Sequence, residues 1–179
     1  GQERALVPSR RFVQRSLVLL VIVSTVLGGC ATPSASASVS DDIRELIESA
    51  HGAPAPLCAC AARAIQNNWG WSNAPASPLG RSVRGRRLDR RLSDEDVRFL
   101  ITSLDTPDPC VRELAVRIVA SDDREEVVTG LVQRLAAADS SLRMTAALGL
   151  GLAPVQGSVG PLIHAMNDDA TGVRANAVW

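Results

Sequence analysis

The feature that most constrains the fold of this chain is a repeat of 31 residues in its C-terminal half. Arg112, Arg143 and Arg174 are each 31 residues apart. Apolar residues repeat around them at the same interval, in the sets Val97/Val128/Val159, Leu100/Leu131/Leu162, Ile101/Val132/Ile163, Leu104/Leu135/Met166 and Ala115/Ala146/Ala177. A fixed period with so many matched apolar positions indicates stacked units that bury a core between neighbours. We therefore assign residues 92–179 to a repeat array whose third unit is incomplete.

Each unit of the array is expected to contain two amphipathic helices. Ser93 is a natural N-cap for the first helix, and Asp108 suits the N-cap before Pro109 at the start of the second. Asp139 takes the corresponding place in the second unit. Asp169 takes it in the third unit, one residue earlier than the 31-residue period requires. Since helix-forming residues dominate, we predict an all-α fold, an α-solenoid of helix pairs.

The repeated motif resembles the PBS-lyase HEAT-like repeats. It combines an Asp cap, Val-Arg or Leu-Arg, an Ala three residues later and an Ala-Leu-Gly ending at residues 147–149. The resemblance covers residues 92–179, although Arg117 and Ile118 depart from it in the first unit. It implies an α-solenoid that binds other proteins. It also implies that the arginines brace the repeats by pairing with aspartates and helix-end carbonyls; the alternative is a cationic face for a partner. This arginine–aspartate ladder consists of Arg112, Arg143, Arg174, Asp108, Asp139 and Asp169.

The N-terminus has the parts of an export signal. Arginines at positions 10, 11 and 15 precede an apolar run over residues 17–26, which is short for a membrane span. The sequence Leu-Gly-Gly-Cys that ends at Cys30 resembles a bacterial lipobox. We therefore predict a signal peptide over 1–30, lipidation of Cys30, a flexible tether over 31–40 and a location in the cell envelope outside the cytoplasm. An ordinary signal peptide or an uncleaved anchor, with Cys30 incidental, is the alternative.

Residues 41–68 are predicted to form a helical hairpin that caps the array, since a solenoid needs an atypical end unit. The first helix, 41–50, places Ile43, Leu46, Ile47 and Ala50 on one face, and the second covers 57–68.

The cysteines of this region leave two interpretations open. Cys58 and Cys60 point about 200° apart on a helix, so they neither bridge each other nor share a metal ion. Either of them could form a disulfide with Cys110 if the compartment is oxidising. Because three internal cysteines leave one unpaired, buried free thiols are the favoured interpretation.

Residues 69–91 are predicted to be a loop rich in Trp, Pro and Arg. Its tryptophans, Trp69 and Trp71, either form an exposed binding element or, as we favour, fold over the cap. Its arginines are Arg81, Arg84, Arg86, Arg87, Arg90 and Arg91. These arginines could bind anionic lipid or nucleic acid. The alternative, a solvated linker whose charge is balanced by the nearby acids, is at least as well supported.

The sequence predicts an interaction scaffold and no enzyme. The charges balance at 19 basic and 19 acidic residues, and aromatic residues make up 3%. No catalytic, phosphate-binding or dinucleotide motif is present, and the two histidines form no metal cluster, so we expect no catalytic residue, cofactor or metal. The expected partners are a protein or peptide on the surface of the second helices, and the membrane through the lipid anchor. Nucleic acid and small-molecule substrates are not expected. The alternatives are a bilin lyase or its chaperone, and a sensor arm for a membrane metallopeptidase.

Overall fold

The computed structural model of the protein describes residues 39–67, 72–84 and 91–179. These ranges contain nine α-helices, one short 3-10 turn and no strand. The helices are α1 (Asp41–Ala50), α2 (Ala55–Gln66), α3 (Pro78–Val83), α4 (Asp94–Ser103), α5 (Pro109–Val119), α6 (Glu125–Leu135), α7 (Ser140–Leu152), α8 (Val159–Ala165) and α9 (Thr171–Ala177). The predicted signal peptide with Cys30 lies outside the described residues.

The C-terminal helices form three consecutive pairs, α4/α5, α6/α7 and α8/α9. Their second helices begin at Pro109, Ser140 and Thr171, each 31 residues after the last. These B helices pack in succession, α5 on α7 and α7 on α9, and each also packs on the first, or A, helix of its own pair. The prediction of an all-α solenoid of stacked helix pairs is therefore confirmed.

The helix starts follow from local capping chemistry. Ser93 and Asp96 form a reciprocal capping box at the start of α4. Asp108 accepts hydrogen bonds from the backbone N–H groups of Cys110 and Val111, and Asp139 caps α7 in the same way. The third unit differs, because the N-cap of α9 is Ala170 and no side chain caps it.

Helices α1 and α2 cover the first repeat, and both also pack on α3. α2 packs along α5, and α1 contacts α5 as well. The predicted apolar face of α1 is confirmed, because Ile43, Leu46, Ile47 and Ala50 are all buried. α2 begins two residues earlier than expected, with Pro56 in the first turn, where a missing N–H costs no hydrogen bond.

The prediction that residues 69–91 are entirely loop is wrong, since α3 lies within this stretch. Ser77 caps the helix by accepting from the Gly80 N–H, and Pro78 occupies the first turn. Leu79 and Val83 are buried against α1 and α2, so apolar burial stabilises this short helix.

One apolar core extends from α1 to the second repeat, from Ile43 to Leu150. The third pair adds a small cluster of Ala147, Ala165 and Val173. Val173 is fully buried, whereas Ile163 and Met166 of the same helix pair are 61% and 45% exposed.

Candidate functional site

The arginine–aspartate ladder connects each repeat to the next. Arg112 is only 6% exposed; its Nε donates to the carbonyl oxygens of Leu104 and Thr106, and its Nη2 lies 2.8 Å from Asp139 Oδ2. One guanidinium therefore donates hydrogen bonds to two carbonyl groups at and just after the end of α4. It also forms an ion pair with Asp139, the N-cap of the B helix in the next pair.

Arg143 repeats this arrangement at the second junction. Its Nη1 donates to the carbonyls of Ala137 and Ala138, each at 3.0 Å. Its Nε and Nη2 make a bidentate pair with Asp168, at 2.8 and 3.0 Å. Asp169 accepts a further bond from the same guanidinium. Asp169 therefore lies in the ladder, but Asp168 is the residue whose geometry matches a bidentate partner.

The two ends of the ladder differ from its interior. Asp108 belongs to the first repeat, so no preceding repeat supplies an arginine to it. Its Oδ2 instead accepts a hydrogen bond of 2.7 Å from the backbone N–H of Gly52, in the turn that ends α1. Gly52 has φ of 67°, a conformation that favours glycine. At the other end Arg174 donates to the carbonyls of Asp168 and Asp169 and to Thr171 Oγ1. No carboxylate among the described residues pairs with it.

Electrostatics agrees with a bracing role for the ladder. The hydrogen bond from Arg143 holds the pKa of the Asp168 carboxyl far below its usual range. The hydrogen bond from Arg112 lowers the pKa of Asp139 in the same way. Since the donor groups of Arg112 and Arg143 are engaged within the chain, they present no free cationic face to a partner.

A disulfide joins Cys58 of the cap to Cys110 of the first repeat, with their Cα atoms 5.6 Å apart. This differs from the buried free thiols that the sequence favoured. Cys58 faces α5 from α2, whereas Cys60 is exposed and free. Both cysteines lie on α2, so the sequence does not show which of them bonds to Cys110. Only the packing of α2 on α5 distinguishes them.

The arginine-rich stretch is described only in part. Arg84 donates to the carbonyl oxygen of Ala74 and so folds back on its own segment. Arg81 and Arg91 are exposed. Arg86, Arg87 and Arg90 lie outside the described residues, as do Trp69 and Trp71.

The B helices present a continuous surface that the ladder does not occupy. Arg117, Leu148 and Trp179 stand at the same register position in successive units. A depression of about 210 Å³ opens beside them, lined by Gln66, Arg117, Leu148, Leu152, Asn176 and Trp179. We call this the B-helix surface. Sequence reasoning named the surface but not its residues, although the 31-residue register could have identified them.

The B-helix surface is polar at one end and apolar at the other. Arg117 donates to Gln66 Oε1 and to Glu113 Oε1, each at 2.6 Å, so its charge is held within the surface. Met144 is 39% exposed and Trp179 is 93% exposed. This combination of a fixed polar group and exposed apolar area is suited to binding another protein.

Within residues 39–67, 72–84 and 91–179, no three His, Cys, Asp or Glu side chains are placed to hold a metal ion. None of the helices in these ranges is long and apolar enough to cross a membrane.

Comparison with known proteins adds one finding about the repeats. Neither the curated proteins nor the solved structures gave a match to the chain. Residues 97–179 match the family model described as HEAT repeats, a little under half of the chain. This match and the stacked helix pairs together support a HEAT-repeat protein.

Proposed function

We propose that the protein is a non-catalytic scaffold that binds another protein or a peptide along its B-helix surface. The observation that carries this proposal is the row of Arg117, Leu148 and Trp179 beside an open depression; Arg117 and Leu148 are partly exposed and Trp179 is 93% exposed. HEAT repeats commonly mediate contacts between proteins. A row built at the repeat interval continues over several units, as a binding surface for an extended partner requires.

We further propose that the scaffold is exported and anchored to a membrane through lipidated Cys30. The cationic, apolar and Leu-Gly-Gly-Cys segments of the N-terminus support this. The Cys58–Cys110 disulfide is a second support, since disulfides persist mainly in oxidising compartments outside the cytoplasm.

A protein partner agrees better than a nucleic acid with the charge of the described residues. The described residues carry 17 acidic side chains and 12 arginines. Proteins that bind nucleic acid usually expose a basic patch, because phosphate contacts supply most of the affinity. Most of the arginines in the repeat array are instead bonded to acids or carbonyls within the chain.

Site-specific crosslinking tests the binding surface. A photoreactive residue placed at Leu148 should give a discrete crosslinked partner in cells. The matched control is the same residue at Thr102, which is exposed on α4, away from the B helices. Equal crosslinking at both positions would exclude the B-helix surface as the specific site.

Replacing Cys30→Ser tests the anchor separately. We expect the variant to lose incorporation of labelled lipid and to move from the membrane fraction to the soluble envelope fraction. Unchanged lipid labelling and unchanged membrane association would reject lipidation at Cys30.

A further inference from the structure

A second groove lies on the opposite layer of the array, along α6. It consists of two depressions of about 540 and 380 Å³ that meet at Val132. We call it the α6 groove. Its apolar lining residues are Val128, Val132, Leu135, Val155, Pro161 and Ala165. It extends along the length of α6, about 16 Å for a helix of 11 residues.

The groove exists because the A helices separate at the second junction. At the first junction, a Cβ atom built on Gly130 would lie 2.9 Å from Ile101 Cδ1, so α6 approaches α4 closely. One period later the glycine is replaced by Pro161 and Ile101 by the shorter Val132. The third A helix also begins with a 3-10 turn at Gln156–Ser158 and is only seven residues long. α7 and α9 remain packed on each other, whereas in the A-helix layer α6 packs mainly on the 3-10 turn before α8 and not along α8 itself.

Two ion pairs in the A-helix layer of the first junction have no counterpart in that layer of the second among the described residues. Arg124 binds Asp94 at 2.6 Å, and Arg134 binds Asp105 at 2.6 Å. One period after the two arginines stand Val155 and Ala165, which line the groove instead. The replacement of the two arginines by Val155 and Ala165 in the third repeat therefore removes the ion pairs and also supplies apolar lining for the groove.

The charge on the rim of the groove is one-sided. Asp123 and Glu125 lie at one end and are exposed, and no ion pair within the described residues engages either carboxylate. At the other end Asp168 is already bound by Arg143. A ligand thus meets free negative charge only near the start of α6.

The walls of the groove restrict the type of backbone that can enter. The long wall is helix α6, whose backbone groups are bonded internally, and no strand lines the groove to offer an edge for strand addition. A segment that buries an apolar face there must satisfy its own backbone, which a helix does. We propose that the α6 groove binds a basic amphipathic helix of a partner protein. Its apolar side covers Val132 and Leu135, and its arginine or lysine residues meet Asp123 and Glu125. This site is independent of the B-helix surface.

Binding of synthetic peptides to the full chain tests the proposal. The probe is a labelled 14-residue helical peptide with leucines along one face and arginines in one terminal turn; a second peptide carries glutamates in place of the arginines. Fluorescence anisotropy should show saturable binding of the basic peptide alone. The double variant D123N/E125Q should weaken it about three- to tenfold, as expected for two partly exposed ion pairs. Glu126→Gln, on the same turn but outside the groove lining, is the matched control and should change nothing.

A second variant separates the groove from the B-helix surface. Ala136 is exposed and lines the groove, so Ala136→Phe should fill it and weaken binding more than tenfold while circular dichroism stays unchanged. Leu148→Gln, on the B-helix surface, should leave peptide binding intact.

Several outcomes would overturn the assignment. These are equal binding of both peptides, no binding of either, or loss of binding with Leu148→Gln and not with Ala136→Phe. A dimer in sedimentation equilibrium that Ala136→Phe dissociates would identify a second copy as the occupant. Peptide binding that appears only in the triple variant R86S/R87S/R90S would identify the chain's own arginines as the occupant.

Discussion

Arg112 Nη2 lies 2.8 Å from Asp139 Oδ2, so an arginine in the middle of one repeat holds the residue that begins the B helix of the next. The same guanidinium satisfies two carbonyls at the end of its own A helix. Three structural elements therefore depend on one side chain that is almost completely buried.

Replacing Arg112→Ala should destabilise the protein by about 2 kcal/mol, because two carbonyls would lose a charged donor in a buried place. Urea unfolding followed by circular dichroism measures the change. Arg174→Ala is the matched control at the end of the ladder, where the guanidinium has no carboxylate partner among the described residues, and should cost clearly less. Equal losses for the two variants would contradict the bracing role.

Removal of the Cys58–Cys110 disulfide should cost about 4 kcal/mol, since it closes a loop with a sequence separation of 52 residues. The double variant C58S/C110S should show this loss in denaturant unfolding, and added reductant should no longer affect it. Cys60→Ser serves as control, because that thiol is exposed and free. A larger loss with Cys60→Ser than with C58S/C110S would rule out the observed pairing.

Gly149 allows the close approach of α7 to its neighbours. A Cβ atom there would lie 2.6 Å from Val116 Cγ2 and 2.8 Å from Leu131 Cδ2. Gly149→Ala should therefore destabilise the fold by about 1–3 kcal/mol through overpacking. Gly151→Ala, in the same helix with its nearest atom at 3.7 Å, should instead stabilise by up to about 1 kcal/mol. Thermal unfolding of the two variants should move in opposite directions.

The ladder carboxylates should make stability fall in acid. The pKa values of Asp139 and Asp168 are lowered in the folded protein by hydrogen bonds from Arg112 and Arg143. Groups of this kind stabilise the fold above their unfolded pKa of about 3.9, and the contribution is lost as the pH falls through the folded pKa. We expect the free energy of unfolding to be nearly constant from about pH 7 to 5 and to decrease below about pH 4.

Asp168→Asn should make that decrease shallower, because one depressed carboxyl no longer titrates. The comparison is between slopes against pH, since the variant also starts from a lower stability at neutral pH. A slope that is identical in the two proteins would show that Asp168 does not contribute to the acid sensitivity.

The sequence was sufficient for features that depend on neighbours along the chain. The period of Arg112, Arg143 and Arg174 predicted the helix pairs, and the Asp108–Pro109 pair predicted the start of α5. Capping and periodicity are local, so they can be read without knowledge of the packing. α3 was missed because six residues with Pro and Gly look like a loop, although Ser77 before Pro78 was a helix-start signal.

Features that depend on packing between distant residues could not be predicted in the same way. Cys58 and Cys60 are equal candidates in the sequence, and only the packing of α2 along α5 places Cys58 beside Cys110. The α6 groove depends on how closely the A helices approach at each junction, where Gly130 in the second repeat is replaced by Pro161 in the third. A helical pattern alone does not show how closely two helices approach.

The Cys58–Cys110 disulfide also determines how the chain would transmit mechanical tension. A pull applied between residue 39 and Trp179 travels along α1 to Cys58, crosses the sulfur bridge and continues from Cys110 into the repeats. Residues 59–109, including α3 and α4, lie inside the closed loop and carry no covalent load. Stretching would therefore act first on the contacts of α1, including the Ser40–Asp96 hydrogen bonds, and on the junctions after α5, while the backbone of α3 and α4 is not extended.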